Sequence, residues 1–142
     1  MMPLGAFVTV SSGCSLNVRN LSKDKKYPVY GGNGVVGTID NYLVEKNTLI
    51  IGRVGANCGC IHKTSQKSFV TDNALIVSLQ TSLIEVDYLY YVFKSINFKK
   101  MISSTAQPLI SGKLIYPLPV RIVSLSSQRK ICERLNRLLN VL

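Results

Sequence analysis

The sequence predicts an α+β domain: a strongly curved, mostly antiparallel sheet with one or two helices packed on it, followed by a protruding C-terminal helix. Three observations carry this. Up to residue 78 the apolar residues come in short runs bounded by Gly, Asn and Asp, the pattern of strands joined by tight turns. After Asp87 the apolar spacing becomes helical, with Leu89, Val92, Phe93 and Ile96 on one face. At the end of the chain Ile131, Leu135, Leu138, Leu139 and Leu142 form one stripe, and Arg129, Lys130, Glu133, Arg134 and Arg137 lie on the other face. A chain of 142 residues supports one domain with a sizeable core, read here as residues 1–122, with residues 123–142 opening a terminal amphipathic helix.

The elements follow in order. Residues 4–10 alternate weakly and read as a first strand, turned by Ser11-Ser-Gly13. Residues 17–26 read as a polar loop. Tyr27-Pro-Val-Tyr30 is a short strand whose Pro28 suits an edge position. Gly31, Gly32, Gly34 and Gly37 around Asn33 mark a tight, bare turn, because only glycine accepts positive φ without a steric cost. Residues 35–39 are strand-like and Asp40-Asn41 ends them. Asn47 is a turn residue, and Thr48-Leu-Ile-Ile-Gly52, a continuous apolar run, is a buried strand. Residues 53–59 form a second glycine-punctuated segment. Residues 60–63 continue as a strand, and Thr64-Ser-Gln-Lys67 reads as a hairpin turn. Residues 68–71 and 74–78 are strands around Asp72-Asn73.

Asp87 is placed to cap the next helix, and Lys99-Lys100 to close that region. Residues 103–108 read as a polar loop. Leu114-Ile-Tyr-Pro-Leu-Pro119 reads as extended, since two prolines oppose helix. Ser124 or Ser126 caps the last helix, whose apolar stripe either folds back onto the domain or pairs with another helix.

The charge balance narrows the function. Seventeen Lys plus Arg against seven Asp plus Glu give +10, a surplus that draws polyanions such as nucleic acid or an anionic membrane. From residue 88 onward nine Lys or Arg face a single acid, Glu133. The first ten residues lack a basic leader region, so no signal peptide is expected. No run of eighteen apolar residues exists, so no membrane-spanning helix is expected either. Four cysteines (Cys14, Cys58, Cys60, Cys132) then read as reduced thiols, and the expected compartment is the cytoplasm.

Most catalytic chemistry fails on context. Gly32-Asn-Gly-Val-Val-Gly37 matches a dinucleotide fingerprint, but strand continues where a helix should open, and the next strand ends in Gly52-Arg53 instead of an acid. Cys58, Cys60 and His62 would share one face of a strand, yet a fourth metal ligand at motif spacing is missing. One histidine and seven acids leave little for a nucleophilic triad or two-metal chemistry. The chain reads as a binder and not an enzyme.

Several segments occur in the order of a known family. They are Leu4-Gly5 with Ser12-Gly13; Tyr27-Pro-Val-Tyr-Gly-Gly-Asn-Gly34 with Gly37; Gly52-Arg-Val-Gly55 with Gly59; and Val70-Thr-Asp-Asn-Ala74. Tyr88-Leu-Tyr-Tyr91, Thr105-Ala-Gln-Pro-Leu-Ile-Ser111, and Pro117-Leu-Pro119 before Ser127-Gln128-Arg-Lys-Ile131 follow. The chain thereby resembles a target recognition domain of the type I restriction-modification specificity subunit. Two positions depart from the pattern: Ser104 where Gly is frequent before Thr-Ala-Gln, and Asn57 where an aromatic is common.

The resemblance implies sequence-specific recognition of double-stranded DNA on behalf of a partner methyltransferase and endonuclease, with no catalysis in this chain. No cofactor is expected here; S-adenosylmethionine, Mg and ATP would belong to partner subunits. It also implies a half-subunit: a full-length member holds two recognition domains, each followed by a long helix, and the helices pair as an antiparallel spacer. The expected partners are duplex DNA, the modification subunit, and a second specificity half or a second copy of this chain. Docking would use Ile131, Leu135, Leu138, Leu139 and Leu142.

Phosphate neutralisation is assigned to Arg53, Lys63, Lys67, Lys99, Lys100 and Lys113. Base or backbone contact is assigned to Asn33, Asn57, Asn73 and Gln107, whose amides both donate and accept. Two alternatives stand beside this. A truncated specificity half would assemble with its partner without reading DNA productively, or a small enzyme would use residues 32–37 for a nucleotide.

Overall fold

The computed structural model describes residues 1–55, 58–102 and 109–141. Their strands form three sheets. β2 (Val8–Ser12), β8 (Ala74–Leu79), β5 (Leu49–Gly52) and β6 (Ile61–Lys63) make a four-stranded antiparallel sheet in the order β2-β8-β5-β6. β4 (Gly34–Ile39), β3 (Tyr27–Gly31) and β7 (Phe69–Val70) make a second, in which β3 pairs antiparallel with β4 and parallel with β7. β1 (Met2–Pro3) pairs with β9 (Pro119–Val120). Four α-helices complete the described residues: α1 (Val86–Lys94), α2 (Phe98–Ile102), α3 (Gly112–Ile115) and α4 (Leu125–Val141). The α+β class and mostly antiparallel pairing hold. The single expected sheet is divided, and the helices exceed the one or two expected.

The division follows from which strands are covered on both faces. Leu49 and Ile51 of β5 join the main core, where Leu4, Val77, Leu89 and Phe93 meet. Ile50 points the other way, into a second core with Tyr30, Val44, Val70 and Ala74. All three are at most 1% exposed. A strand buried on both faces loses the apolar–polar alternation, which is why residues 49–51 are continuously apolar. A third cluster of Val29, Ile39 and Phe69 is covered by Leu16 and Leu21, so the segment expected as a polar loop also seals a core.

Gly13 joins the two larger sheets. Its amide donates to Ala74 O at 3.1 Å, and Cys14 N donates to Val70 O at 2.9 Å. A Cβ on Gly13 would lie 2.0 Å from Thr71 O, so no other residue fits without moving backbone. Residues 64–67, expected as a hairpin turn, instead carry the chain from β6 in one sheet to β7 in the other.

Other expectations are corrected in detail. Residues 4–6 form a 3-10 turn, and the following strand runs on through Ser12. β3 is the centre of its sheet and not an edge; Pro28 is tolerated because β7 pairs only with Val29 and Tyr30, beyond the proline. Of the four glycines around Asn33, only Gly34 has positive φ, at 106°. α1 is preceded by Glu85 as N-cap, with Asp87 already inside the first turn. Lys99 and Lys100 lie in α2 and do not close α1. Leu114 and Ile115 end a one-turn helix, and Tyr116, although before Pro117, stays helical (φ −56°, ψ −40°) because its amide bonds Gly112 O at 2.8 Å.

α4 begins at Ser124, whose Oγ accepts from Ser127 N at 3.1 Å. Its first half is clamped by Gln128, which is fully buried. Gln128 Oε1 accepts from Glu85 N at 2.9 Å, and Nε2 donates to Leu83 O at 2.8 Å and Val123 O at 3.0 Å. Arg129 pairs with Glu85 at 2.7 Å, Cys132 is buried, and Asn136 bonds the Tyr91 hydroxyl. Gln128, Cys132 and Asn136 are spaced one turn apart, so this face docks. The expected stripe is a different face: Ile131, Leu138 and Leu139 are exposed, the last two by 63% and 53%, and Leu135 is half-buried. Leu142 lies outside the described residues.

Gln128→Ala removes the side-chain partner of three part-buried backbone groups and empties a fully buried site. Urea denaturation is expected to show a loss of about 3 kcal/mol, more than an ordinary surface change produces.

Candidate nucleic-acid interface

Backbone turns converge at one end of the two larger sheets. β5 delivers Arg53 there, and Arg53 N donates to Asn73 O at 3.1 Å, tying the end of β5 to the turn before β8. The β3–β4 turn packs against the same place: a Cβ on Gly32 would lie 3.3 Å from Asn73 O and 3.8 Å from Val54 O. β2 ends alongside, where Ser12 Oγ accepts from Arg53 Nη1 at 3.0 Å. Ser15 Oγ donates to Asp72 Oδ2 at 3.0 Å. Ile110 N donates to Arg53 O at 3.0 Å, so the segment after the undescribed residues 103–108 joins the same rim. Asn33, Arg53 and Asn73, far apart in sequence, are thus neighbours, and both amide side chains are exposed.

Arg53 is the chemically distinctive member. It forms no ion pair with an acid among the described residues. Its Nε is buried without a hydrogen-bond partner. Buried polar atoms are nearly always satisfied, so an uncompensated guanidinium at a rim of open backbone suits an anionic ligand. Cys58, whose Sγ donates to Arg53 O at 3.3 Å, links the rim to a groove of about 370 Å³ that also includes Lys94 and Lys99. Burial pushes the Cys58 thiol pKa up, so it stays protonated near neutral pH.

The remaining expected residues are placed elsewhere. Lys63 is half-buried and ion-paired with Asp87 of α1. Lys67 precedes β7, which runs parallel to β3, so it sits at the Tyr27 end, opposite the Asn33 turn. There its ammonium stands 4.8 Å over the Tyr42 ring; a hydrogen bond to Tyr42 and the nearby Tyr42 and Glu45 charges raise its pKa. Lys113 is exposed on α3, which packs by β2. Lys100 is exposed beside Lys99 on α2. Asn57 and Gln107 lie outside the described residues.

Ser12, Asp72 and Lys94 are members that sequence reasoning missed. Ser12 ends β2 beside Gly13 and Asp72 sits in the turn marked by Asn73; nothing local to Lys94 signals its position. Cys58 and Cys60 precede β6 and do not share a strand with His62. No group of three or more His, Cys, Asp or Glu side chains suited to a metal occurs among the described residues. No helix of the described residues is long and apolar enough to cross a membrane.

Comparison with known proteins gives a consistent pattern. A family model described as the type I restriction modification DNA specificity domain matches residues 1–142. The chain is 26% identical over 138 residues to the type I restriction enzyme EcoprrI specificity subunit of Escherichia coli, covering 94% of this chain and 34% of that protein. It therefore spans about a third of that curated relative's length. The type I restriction-modification S subunit from M. genitalium superposes with a TM-score of 0.82 at 26% identity, over 98% of this chain and 39% of that one. The HsdS subunit from Thermoanaerobacter tengcongensis shares the fold, with a TM-score of 0.69 at 15% identity, over 98% and 37%.

Behind the rim, His62 of β6 has Nε2 buried without a partner, and its ring is 6.1 Å from that of Tyr30. Burial first, and the charge of Lys94 second, lower its pKa below the usual 6.5. The unfolded chain therefore takes up this proton at a higher pH than the folded one. The contribution of His62 to stability is full above pH 6.5 and is lost as pH falls through the lowered folded value. The urea midpoint should drop on acidification across that window, and His62→Gln should flatten the drop.

Proposed function

We propose, from the premise that this chain belongs to the family of type I restriction modification DNA specificity domains, that it recognises a sequence in duplex DNA through the rim of Asn33, Arg53 and Asn73. The observation that carries this is Arg53: a guanidinium without an acidic partner, its Nε unsatisfied, set among exposed amide side chains on a chain of net charge +10. Phosphate contacts from Arg53, Lys99 and Lys100 would set register, and Asn33 and Asn73 would meet base edges. The chain itself would carry no catalysis. Methyl transfer and cleavage, with S-adenosylmethionine, Mg and ATP, would belong to partner subunits.

The exposed Ile131, Leu138 and Leu139 support a second role, as an assembly surface. Its occupant would be a second specificity half or a second copy of this chain, with the methyltransferase subunit completing the complex. An assembly partner that binds no DNA productively would use the same surface. The two readings separate in a bandshift with the methyltransferase subunit present: retardation with no sequence preference on any duplex would sink recognition and leave assembly.

Three outcomes are expected. Arg53→Ala should weaken duplex binding about tenfold or more and lower the slope of log affinity against log salt by about 1, while Lys67→Ala leaves both nearly unchanged. Asn33→Ala should weaken preference for the target without altering the melting temperature; unfolding instead would make the turn purely structural. Replacing Leu138 and Leu139 by Ser should reduce self-association in light scattering, and a wild-type chain that stays monomeric at high concentration would count against the apolar seam.

A further inference from the structure

Four exposed apolar side chains stand around the rim of Asn33, Arg53 and Asn73. Val35 and Val36, 57% and 56% exposed, follow the turn that carries Asn33. Val54, 37% exposed, follows Arg53, and Leu109, 47% exposed, is paired with it through a single antiparallel bridge. The turn is held close to Val54, since a Cβ on Gly32 would lie 3.8 Å from Val54 O and 3.3 Å from Asn73 O. Apolar residues exposed singly need no explanation, but these come from three separate segments to one place.

The local geometry sets the first pair outward. Tyr30 is opposite Val35 and Val29 is opposite Gly37, so Val36 is the extra residue of a β-bulge. It lies over Gly31, where a Cβ would stand 3.1 Å from Val36 Cγ1. β7 pairs only with Val29 and Tyr30, so beyond Tyr30 the strands β3 and β4 continue as a two-stranded ribbon.

The rim's chemistry names what these side chains meet. Arg53 has no acidic partner among the described residues, and the chain carries +10, which suits an anionic partner. Phosphate groups offer nothing to an aliphatic side chain. The apolar group that a base pair presents in the major groove is the C5 methyl of thymine, and alanine, threonine-methyl and similar aliphatic surfaces meet it there. That groove, about 12 Å wide, also admits a two-stranded β-ribbon.

We propose that Val35, Val36, Val54 and Leu109 read thymine C5 methyl groups in the major groove, beside the contacts of Asn33 and Asn73. The inference rests on the DNA reading of the rim and adds a target base to it: at least one thymine recognised by its methyl group and not by its hydrogen-bonding edge alone.

Uracil tests this directly, because it keeps the hydrogen-bonding edge of thymine and lacks the methyl. The full chain, with the methyltransferase subunit present, selects a preferred sequence from randomised duplexes. Each thymine of that sequence is then replaced by uracil, and affinity is read by fluorescence anisotropy. At least one replacement should weaken binding about fourfold, the worth of one buried methyl group. That loss should vanish in Val35→Ala/Val36→Ala or in Val54→Ala/Leu109→Ala, with the melting temperature kept. A selected sequence that no uracil weakens overturns the proposal on the unaltered chain alone, as does a loss that persists in both variants. Variants that instead shed the methyltransferase subunit overturn it too, and mark these side chains as a protein-binding patch. Failure to select any sequence overturns the DNA reading of the rim along with it.

Discussion

The burial of β5 on both faces is the constraint on which the rest depends. Leu49 and Ile51 are in one core and Ile50 in another, so β5 is the wall between them. Its hydrogen-bond partners β6 and β8 are placed by that wall, and the second sheet is held against its far side by Tyr30 and Val70. Removing the Ile50 side chain beyond Cβ would open a cavity at this junction, at a cost of about 2–5 kcal/mol. Arg53 follows directly after β5, so the most tightly held strand aims the most distinctive cation. Were Arg53 to meet a duplex as proposed, such a mounting would help, because less conformational freedom is lost on binding.

A second constraint governs the helix at the end of the described chain. Gln128 satisfies three backbone groups from two segments, and Arg129 reinforces the same place through Glu85. Together they set the direction in which α4 leaves the domain. The docking face uses Gln128, Cys132 and Asn136, so Leu138 and Leu139 remain for something else. A polar clamp of this kind specifies one orientation where a purely apolar contact would permit several. It ties α4 to the segment before α1.

The legibility of the site varies with the kind of signal involved. Asn33 and Asn73 stood out because each sits in a glycine- or aspartate-marked turn, and turn chemistry is local. Arg53 stood out for the same reason, beside Gly52 and Gly55. That these three meet could not be read, since it depends on β3 and β7 running parallel and on β5 ending beside both. The same geometry separates Lys67 from them, although it is only six positions before Asn73. Lys63 looked like a free cation until α1 placed Asp87 beside it.

The sequence by itself determined the α+β class, the basic character, the buried strand at residues 49–51, a serine cap at 124 or 126 and the apolar stripe of the last helix. Each depends on near neighbours in the chain: a run, a period, a turn residue or a summed charge. Only the tertiary structure decided that one sheet became three, that β3 is central, that α1 starts beside Glu85, and that Gln128 is a clamp. Those features depend on pairs far apart in sequence, whose energies come from close packing and buried hydrogen bonds. His62 shows the difference most plainly. In the sequence it is a lone histidine near two cysteines; in the fold it is a neutral ring behind the Asn33 turn, with one nitrogen buried and unpartnered among the described residues.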